Sequence, residues 1–316
     1  MNAPKVLIAD RMHESITDLF RRAGFDPDYQ PEITKEEVSE VIENYEGLVI
    51  RSKFTVDRPL IDRAVNLKFV ARAGAGLDKV DYPYLTEKGI KLVNAPEGNR
   101  DAVGEYTVGV LLSLMHNIQK GHNEVITGVW DREGNRGFEL QDKTVGVYGY
   151  GFMGSAFAEK LRGFGCRIIA YDKYKTRISN DFVEQVDLDT FRRETEILSI
   201  HVPLTSETRM LFDEPYLRTF HRLKFLLNTS RGEVLKLSAL IALMEEGSLV
   251  GAGLDVLENE KLDQLTENQR NDFGKLGSMN NVILTPHIAG WTFESYRKIN
   301  EVIITKLQKE GLAYAG

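Results

Sequence analysis

The segment "LTPHIAGW" places His287, one of six histidines in 316 residues, directly behind a proline and just before a small-residue turn. A histidine titrates near neutrality and can pass a proton to or from a substrate oxygen, provided that other groups orient it and hold the substrate. Two upstream segments supply such groups: "NTSRGEVL" carries Arg231, and "GLDVLENEKL" carries Asp255 and Glu260. All three segments follow apolar runs that read as strands. Their residues are therefore expected at the C-terminal strand ends of an open α/β sheet, where positions far apart in sequence converge. A carboxylate beside an imidazole orients the ring and favours its charged form, so Glu260 is the expected partner of His287. The other histidines lack such company: His201, in "SIHVPLT", is expected at a strand end lining a cofactor, and His13, His116, His122 and His221 on helices or the surface.

A second constellation says what the proton would accompany. "VYGYGFMG" sets Gly149, Gly151 and Gly154 in GxGxxG spacing, after the strand candidate "TVGVY" and at the start of the helix containing "AFAEKLRGF". In that context backbone N–H groups and the helix N-terminus receive a pyrophosphate, so a dinucleotide is expected. The next strand, "CRIIAYD", ends in Asp172, placed to take the adenosine ribose hydroxyls and to repel the extra phosphate of NADP. NAD is therefore the expected cofactor, although Lys173, Lys175 and Arg177 nearby leave dual specificity open. Hydride transfer to a ketone needs a proton donor, a cation for a neighbouring carboxylate and a wall for the nicotinamide, and these strand ends offer each.

The elements that must position these groups read as two α/β series. From Pro4 to about Ala95 the strand candidates "KVLIA", "GLVIR", "KFVAR" and "KLVNA" alternate with the helical "SITDLFRRAG", "TKEEVSEVIENY", "RPLIDRAV" and "YPYLTEKG". A long helix, apolar around much of its second half, is expected in "APEGNRDAVGEYTVGVLLSLMHNIQKGHNEV". Beyond it "KTVGVYG", "CRIIAYD", "EILSIHV", "FLLNTS", "GAGLDVL" and "NVILTP" predict a doubly wound sheet of six strands. Phe293, Tyr296, Ile299, Val302, Ile303 and Leu307 predict a final helix whose apolar face returns to the N-terminal series. The expected division is 1–98 plus 291–316 and 99–290, with crossings near Pro96 and Gly290.

Composition narrows the class. With 42% hydrophobic and 28% charged residues the chain is that of a globular protein, and its net charge of −7 is dispersed, which disfavours a nucleic-acid partner and points to a small molecule. The single cysteine, Cys166, is read as a buried strand residue and not a nucleophile. No stretch approaches the length of a membrane span, and no leader is evident, so a cytoplasmic location is the default.

Taken together, "ARAGAGLDKVD", "NAPEGNRDAVGE", "YGYGFMG", "HVPLTSETRMLF", "NTSRGEVL", "GAGLDVLENE" and "TPHIAG" resemble the D-isomer-specific 2-hydroxyacid dehydrogenases over nearly the whole chain. The resemblance implies two Rossmann-like lobes, a flavodoxin-like substrate domain and a doubly wound dinucleotide-binding domain, with a cleft between them. It also implies roles: Arg231 for the substrate carboxylate and carbonyl, Glu260 supporting the histidine, and His287 as acid in reduction and base in oxidation. Asp255 would hold the nicotinamide carboxamide. Phe152, Met153, His201, Pro203, Thr229 and Gly290 would complete the cofactor site around the three glycines and Asp172. The loop Ala73, Gly74, Ala75 and Gly76 would bind the substrate carboxylate through backbone N–H groups. No metal is implied. One departure is Lys261, where the family usually has proline, and a looser Glu260 turn is expected from it.

Within the family, "LVIRSKFTVDRPLID" is most similar to the phosphoglycerate dehydrogenase branch. Arg51, Ser52 and Lys53 offer two cations and a hydroxyl for a phosphate dianion, which makes 3-phospho-D-glycerate, oxidised in serine biosynthesis, the expected substrate. The resemblance further implies a homodimer in which Arg132 and Arg136 reach the neighbouring subunit; serine feedback through a regulatory domain, which some members of that branch carry, is not expected. Two rivals stand beside this reading: a reductase of glyoxylate, hydroxypyruvate or another unphosphorylated ketoacid, and a NAD-sensing corepressor-like binding protein.

Overall fold

Every strand pairing among the described residues, 3–178 and 180–313 of a computed structural model, is parallel. The chain divides into two units, Met1–Arg100 with Trp291–Gly316, and Asp101–Gly290.

The first unit is built on β1 (Lys5–Ile8), β2 (Asp26–Tyr29), β3 (Gly47–Ile50), β4 (Phe69–Arg72) and β5 (Lys91–Asn94), in the order β2-β1-β3-β4-β5. This is the flavodoxin-like order. Parallel strands covered on both faces must be apolar throughout, and β3 is buried at all four positions. On one face Leu7, Leu48 and Val70 meet α2 (Lys35–Val41), α3 (Arg58–Arg63) and α4 (Tyr82–Glu87) through Val38, Leu60 and Leu85. On the other, Val6, Ile8 and Phe69 cluster with Phe20 of α1 (Ser15–Arg22) and with Ile299, Ile303 and Leu307 of the last helix, α12 (Phe293–Lys309). The termini of these helices are written locally: Thr34 and Glu37 form a capping box on α2, and Asp57 and Asp81 cap α3 and α4.

The second unit carries β6 (Thr144–Tyr148), β7 (Arg167–Tyr171), β8 (Glu184–Gln185), β9 (Ile197–Ile200), β10 (Phe225–Asn228), β11 (Gly251–Leu254) and β12 (Val282–Leu284). Their order, β12-β11-β10-β9-β6-β7-β8, reverses direction between β6 and β9, which defines the switch point where such sheets bind ligands. Its helices are α5 (Pro96–Met115), entering from the first unit, then α6 (Ile118–Ile126), α7 (Phe152–Lys160), α8 (Leu188–Glu194), α9 (Glu214–Leu217), α10 (Leu237–Glu245) and α11 (Glu267–Ser278).

Four expectations are corrected. Strands β2 and β8 were not expected; "DPDY" and "EQ" lack β-branched residues, and each forms at a sheet edge by pairing with an apolar neighbour, where even Pro27 is tolerated. The single long helix is two, because Asn117 turns left-handed at φ +53° between α5 and α6. Phe293 lies off the inner face of α12 and is 95% exposed, since six residues carry it roughly a third of a turn from Ile299. Cys166 precedes β7 and is only half-buried, which still pushes its thiol pKa up through desolvation.

Candidate functional site

The glycine loop joins β6 to α7. Gly149 sits at φ +92°, and a Cβ on Gly154 would lie 2.1 Å from the Gly149 carbonyl oxygen, so the fold itself requires both. Gly151 differs: a Cβ there would meet no protein atom within 4 Å, and its φ of −83° suits any residue. The missing side chain keeps the backbone open to a ligand. Gly151 is also the N-cap of α7, with no side-chain acceptor on the first turn, where Phe152, Met153 and Gly154 stand. Donors on an open surface at a helix N-terminus fit a pyrophosphate.

Asp172, just past β7, accepts from the N–H of Tyr150 (2.9 Å) with one oxygen and from those of Tyr174 and Lys175 (3.0 and 3.1 Å) with the other. It fixes the tip of the glycine loop and retains capacity for one further donor, since a carboxylate has about four acceptor sites. The cations beside it are engaged locally: Lys173 pairs with Glu207 at 2.7 Å, and the Lys175 ammonium lies 5.4 Å from the Tyr150 ring. The structure places His201 in the interior beneath this loop, 8% exposed, its Nε2 2.8 Å from Ser199 Oγ and its ring against Phe157. Burial pushes its pKa down to about 3, so it is a neutral histidine supporting the loop from within. Pro203 accepts from Thr208 Oγ1 through its carbonyl (2.6 Å), and Thr229 Oγ1 lies 3.2 Å from Thr107 Oγ1.

The loops after β10, β11 and β12 are laced by backbone bonds. The N–H of Asp255 donates to the Asn228 carbonyl (3.0 Å), that of Thr285 to Leu254 (3.0 Å) and that of His287 to Asp255 (2.8 Å). Arg231 follows β10 in extended backbone, its Nη1 donating to the Ser230 carbonyl at 2.7 Å. Gly232 behind it must be glycine, since a Cβ would lie 1.8 Å from the Leu257 carbonyl oxygen. His287 holds a left-handed φ of +58°, uncommon outside glycine, and its Nδ1–H donates to both Glu260 oxygens at 3.0 and 3.1 Å. Bonding at Nδ1 fixes ring orientation and leaves Nε2 as the group for chemistry.

The strained loop is held by Asp255, which is 2% exposed. Its carboxylate accepts from the N–H groups of Ile288 (2.9 Å) and Ala289 (2.8 Å) and from the Thr285 hydroxyl (2.7 Å). Asp255 thus organises the histidine loop, a role the sequence did not show. The Glu260 turn is not loosened by Lys261: the Lys261 N–H, which a proline would lack, donates to Asn259 Oδ1 at 3.0 Å.

In the first unit, Asp10 Oδ2 accepts from the N–H groups of Arg51, Ser52 and Lys53 at 3.0, 2.8 and 3.0 Å, and Oδ1 from Arg11 at 2.8 Å. The Lys53 ammonium donates to the Pro31 carbonyl (2.6 Å), and the Ser52 carbonyl accepts from Lys79 (2.5 Å). The Arg51 guanidinium lies 4.4 Å over the Trp291 ring and 5.8 Å from Tyr296, with Nη1 buried and unpartnered. Of the expected phosphate ligands, the Lys53 ammonium is thus tied to the Pro31 carbonyl, while Arg51 keeps a buried donor in reserve and Ser52 is exposed. Ala73 is buried, Gly74 takes φ +138° under the Arg72 guanidinium, and Asn94 Nδ2 donates to the Ala75 carbonyl at 2.8 Å, with Gly76 following half-buried. Asp10 and Asn259 were missed by sequence reasoning; a polar residue closing an apolar strand, as in "LIAD", was the available signal for the first.

Among the described residues no cluster of His, Cys, Asp or Glu could hold a metal ion, and no helix is long and apolar enough to cross a membrane. Residues 108–289 match the family described as D-isomer specific 2-hydroxyacid dehydrogenase, NAD binding domain. The chain is 35% identical to a hydroxypyruvate reductase of Thermotoga maritima over 279 residues, 88% of this chain and 89% of that one. It is 32% identical over 308 residues to a D-3-phosphoglycerate dehydrogenase of Methanocaldococcus jannaschii, covering 96% of this chain but 57% of the longer relative. A crystal structure of D-lactate dehydrogenase from Aquifex aeolicus, complexed with NAD and lactic acid, superposes with a TM-score of 0.81 at 25% identity over 97% of this chain and 96% of that one.

Proposed function

Because this chain belongs to the D-isomer-specific 2-hydroxyacid dehydrogenase family, with NAD as its cofactor, we propose that it oxidises 3-phospho-D-glycerate to 3-phosphohydroxypyruvate. The observation that carries the chemistry is the His287–Glu260 pair, with Nδ1 bound and Nε2 left for a substrate oxygen. NAD, when bound, supplies the hydride acceptor. His287 Nε2 takes the hydroxyl proton in oxidation and returns it to the carbonyl oxygen in reduction, while Glu260 stabilises the imidazolium formed. Arg231 binds the substrate carboxylate and polarises the carbonyl. For a substrate carboxylate the Ala73–Gly76 loop offers the N–H groups of Gly74, Ala75 and Gly76, that of Ala73 being taken by the Ile50 carbonyl (2.7 Å). In His287→Asn, turnover falls by about 10²- to 10⁴-fold with NADH binding retained; near-normal turnover would remove His287 from the reaction.

For the phosphorylated substrate the support is Arg51, whose buried Nη1 is a donor awaiting an acceptor, together with the phosphoglycerate dehydrogenase among the relatives. A second reading, reduction of hydroxypyruvate or glyoxylate, is favoured by Asp10, which already fills the N–H cluster of the Arg51 loop, and by the hydroxypyruvate reductase relative. NADH consumption with 3-phosphohydroxypyruvate beside hydroxypyruvate, glyoxylate and pyruvate decides between them. Under the first reading the phosphorylated ketoacid is preferred, and Arg51→Ala removes that preference alone.

The same reading includes serine biosynthesis, a cytoplasmic location and a homodimer. Exposed Ile118, Val125 and Ile126 on α6, with Val129 and Trp130 behind it, form an apolar surface suited to cover by a second copy. Arg132 and Arg136 follow that surface, Arg136 pairing with Glu133 at 2.6 Å. Light scattering of the purified chain tests the dimer.

A further inference from the structure

Within the second unit, α5 touches the loops after β10 and β12 and the helix that follows the glycine loop. Between Val103 and Val108 α5 carries Gly104, an exposed Glu105, the half-buried Tyr106 and Thr107, which is fully buried. Gly104 packs on the backbone of α7, where a Cβ would lie 2.9 Å from the Ala156 carbonyl oxygen. The Tyr106 hydroxyl donates to Thr285 Oγ1, and Thr285 in turn donates to Asp255 Oδ1. Thr107 donates its one hydroxyl proton to the Val103 carbonyl (2.7 Å), so towards Thr229 Oγ1, 3.2 Å away, it acts as acceptor.

These bonds have a direction. Tyr106 gives its proton to Thr285, which frees the Thr285 hydroxyl to give its own to Asp255, and Asp255 gathers the N–H groups of Ile288 and Ala289 on the far side of His287. The left-handed backbone of His287 is thereby fixed from both ends. Thr107 plays the corresponding part for the loop after β10, two residues before Arg231.

We propose that Tyr106 and Thr107 are positioning residues for the reaction: Tyr106 aims His287 through Thr285 and Asp255, and Thr107 sets the Arg231 loop through Thr229. The inference rests on the roles given above to His287 and Arg231.

The test uses the full chain and the ketoacid that the wild type reduces fastest. Tyr106→Phe, which deletes one oxygen and keeps the ring, lowers kcat about tenfold, while KM, the NADH Kd and the thermal midpoint stay near wild type. Thr285→Val lowers kcat further and Thr285→Ser restores it. Thr107→Val instead raises the ketoacid KM about fivefold, since a misplaced guanidinium weakens carboxylate binding. A double-mutant cycle separates the two layers of the argument: Tyr106→Phe has little further effect in a His287→Asn background. An equal tenfold loss in that background, or wild-type kcat in folded Tyr106→Phe, overturns the positioning role while leaving His287 in place. Near-normal turnover in His287→Asn overturns the proton relay and the inference built on it.

Discussion

Two loops in this molecule gather backbone N–H groups at the end of a strand, and they are satisfied in opposite ways. After β3, the N–H groups of Arg51, Ser52 and Lys53 converge on Asp10, a carboxylate of the protein itself, 7% exposed. After β6, the glycine loop leads into α7 with no side-chain acceptor at its N-cap. A donor cluster that already holds an anion is ordered without ligand, and selects through the side chains it projects. A cluster left without one draws the anion from solution. In the first unit the projected group is Arg51, stacked on Trp291; in the second it is the backbone itself that is left open.

The largest effect expected from this contrast is on stability. Asp10→Ala leaves four N–H groups, on residues 11 and 51–53, without their acceptor and costs about 3 kcal/mol or more, read as a lower denaturant midpoint. NADH affinity is unchanged in the same protein. If the midpoint did not move, the Arg51 loop would be held by something other than Asp10. Gly151→Ala gives the mirror result. Its methyl meets no protein atom, so the midpoint shifts by less than about 1 kcal/mol. NADH binding, followed by calorimetric titration, weakens about tenfold or more because the pyrophosphate can no longer approach the backbone. Undiminished affinity would show that the glycine loop is not where the dinucleotide sits.

The same contrast separates what was legible in the sequence from what was not. Strands such as "GLVI" and "TVGVY" announce themselves because burial on both faces leaves only apolar residues. Arg231, Glu260 and His287 were legible as residue types at strand ends, because parallel order brings such ends to one side of a sheet. "DPDY" was not legible as a strand, since its pairing with β1 comes from its neighbour and not from its own residues. The break at Asn117 carries neither glycine nor proline to mark it. The acceptors that fix the loops were hidden for a different reason: Asp10 acts on N–H groups about forty residues away, and Tyr106 on Thr285, 179 positions on. Side-chain bonds of that range leave no periodic trace.

A smaller and slower-growing effect distinguishes the two loops under acid. His201 lies directly behind the glycine loop, where a Cβ on Gly149 would be 2.9 Å from its carbonyl oxygen. Burial keeps the ring neutral in the folded chain down to about pH 3, whereas in the unfolded chain it gains a proton near its ordinary value of 6.5. Between those values the unfolded state binds one proton more than the native state through this group. Stability therefore falls as pH drops below 6.5, by up to about 1.4 kcal/mol per pH unit. His201→Gln has no such proton to bind, so its unfolding free energy loses one proton's worth of slope between pH 6 and 4. Denaturation series at several pH values, run on wild type and variant, measure the difference directly. Parallel slopes would mean that the imidazole is reached by water or a partner in the folded chain, and the loop behind which it sits would then be as self-sufficient as the one built on Asp10.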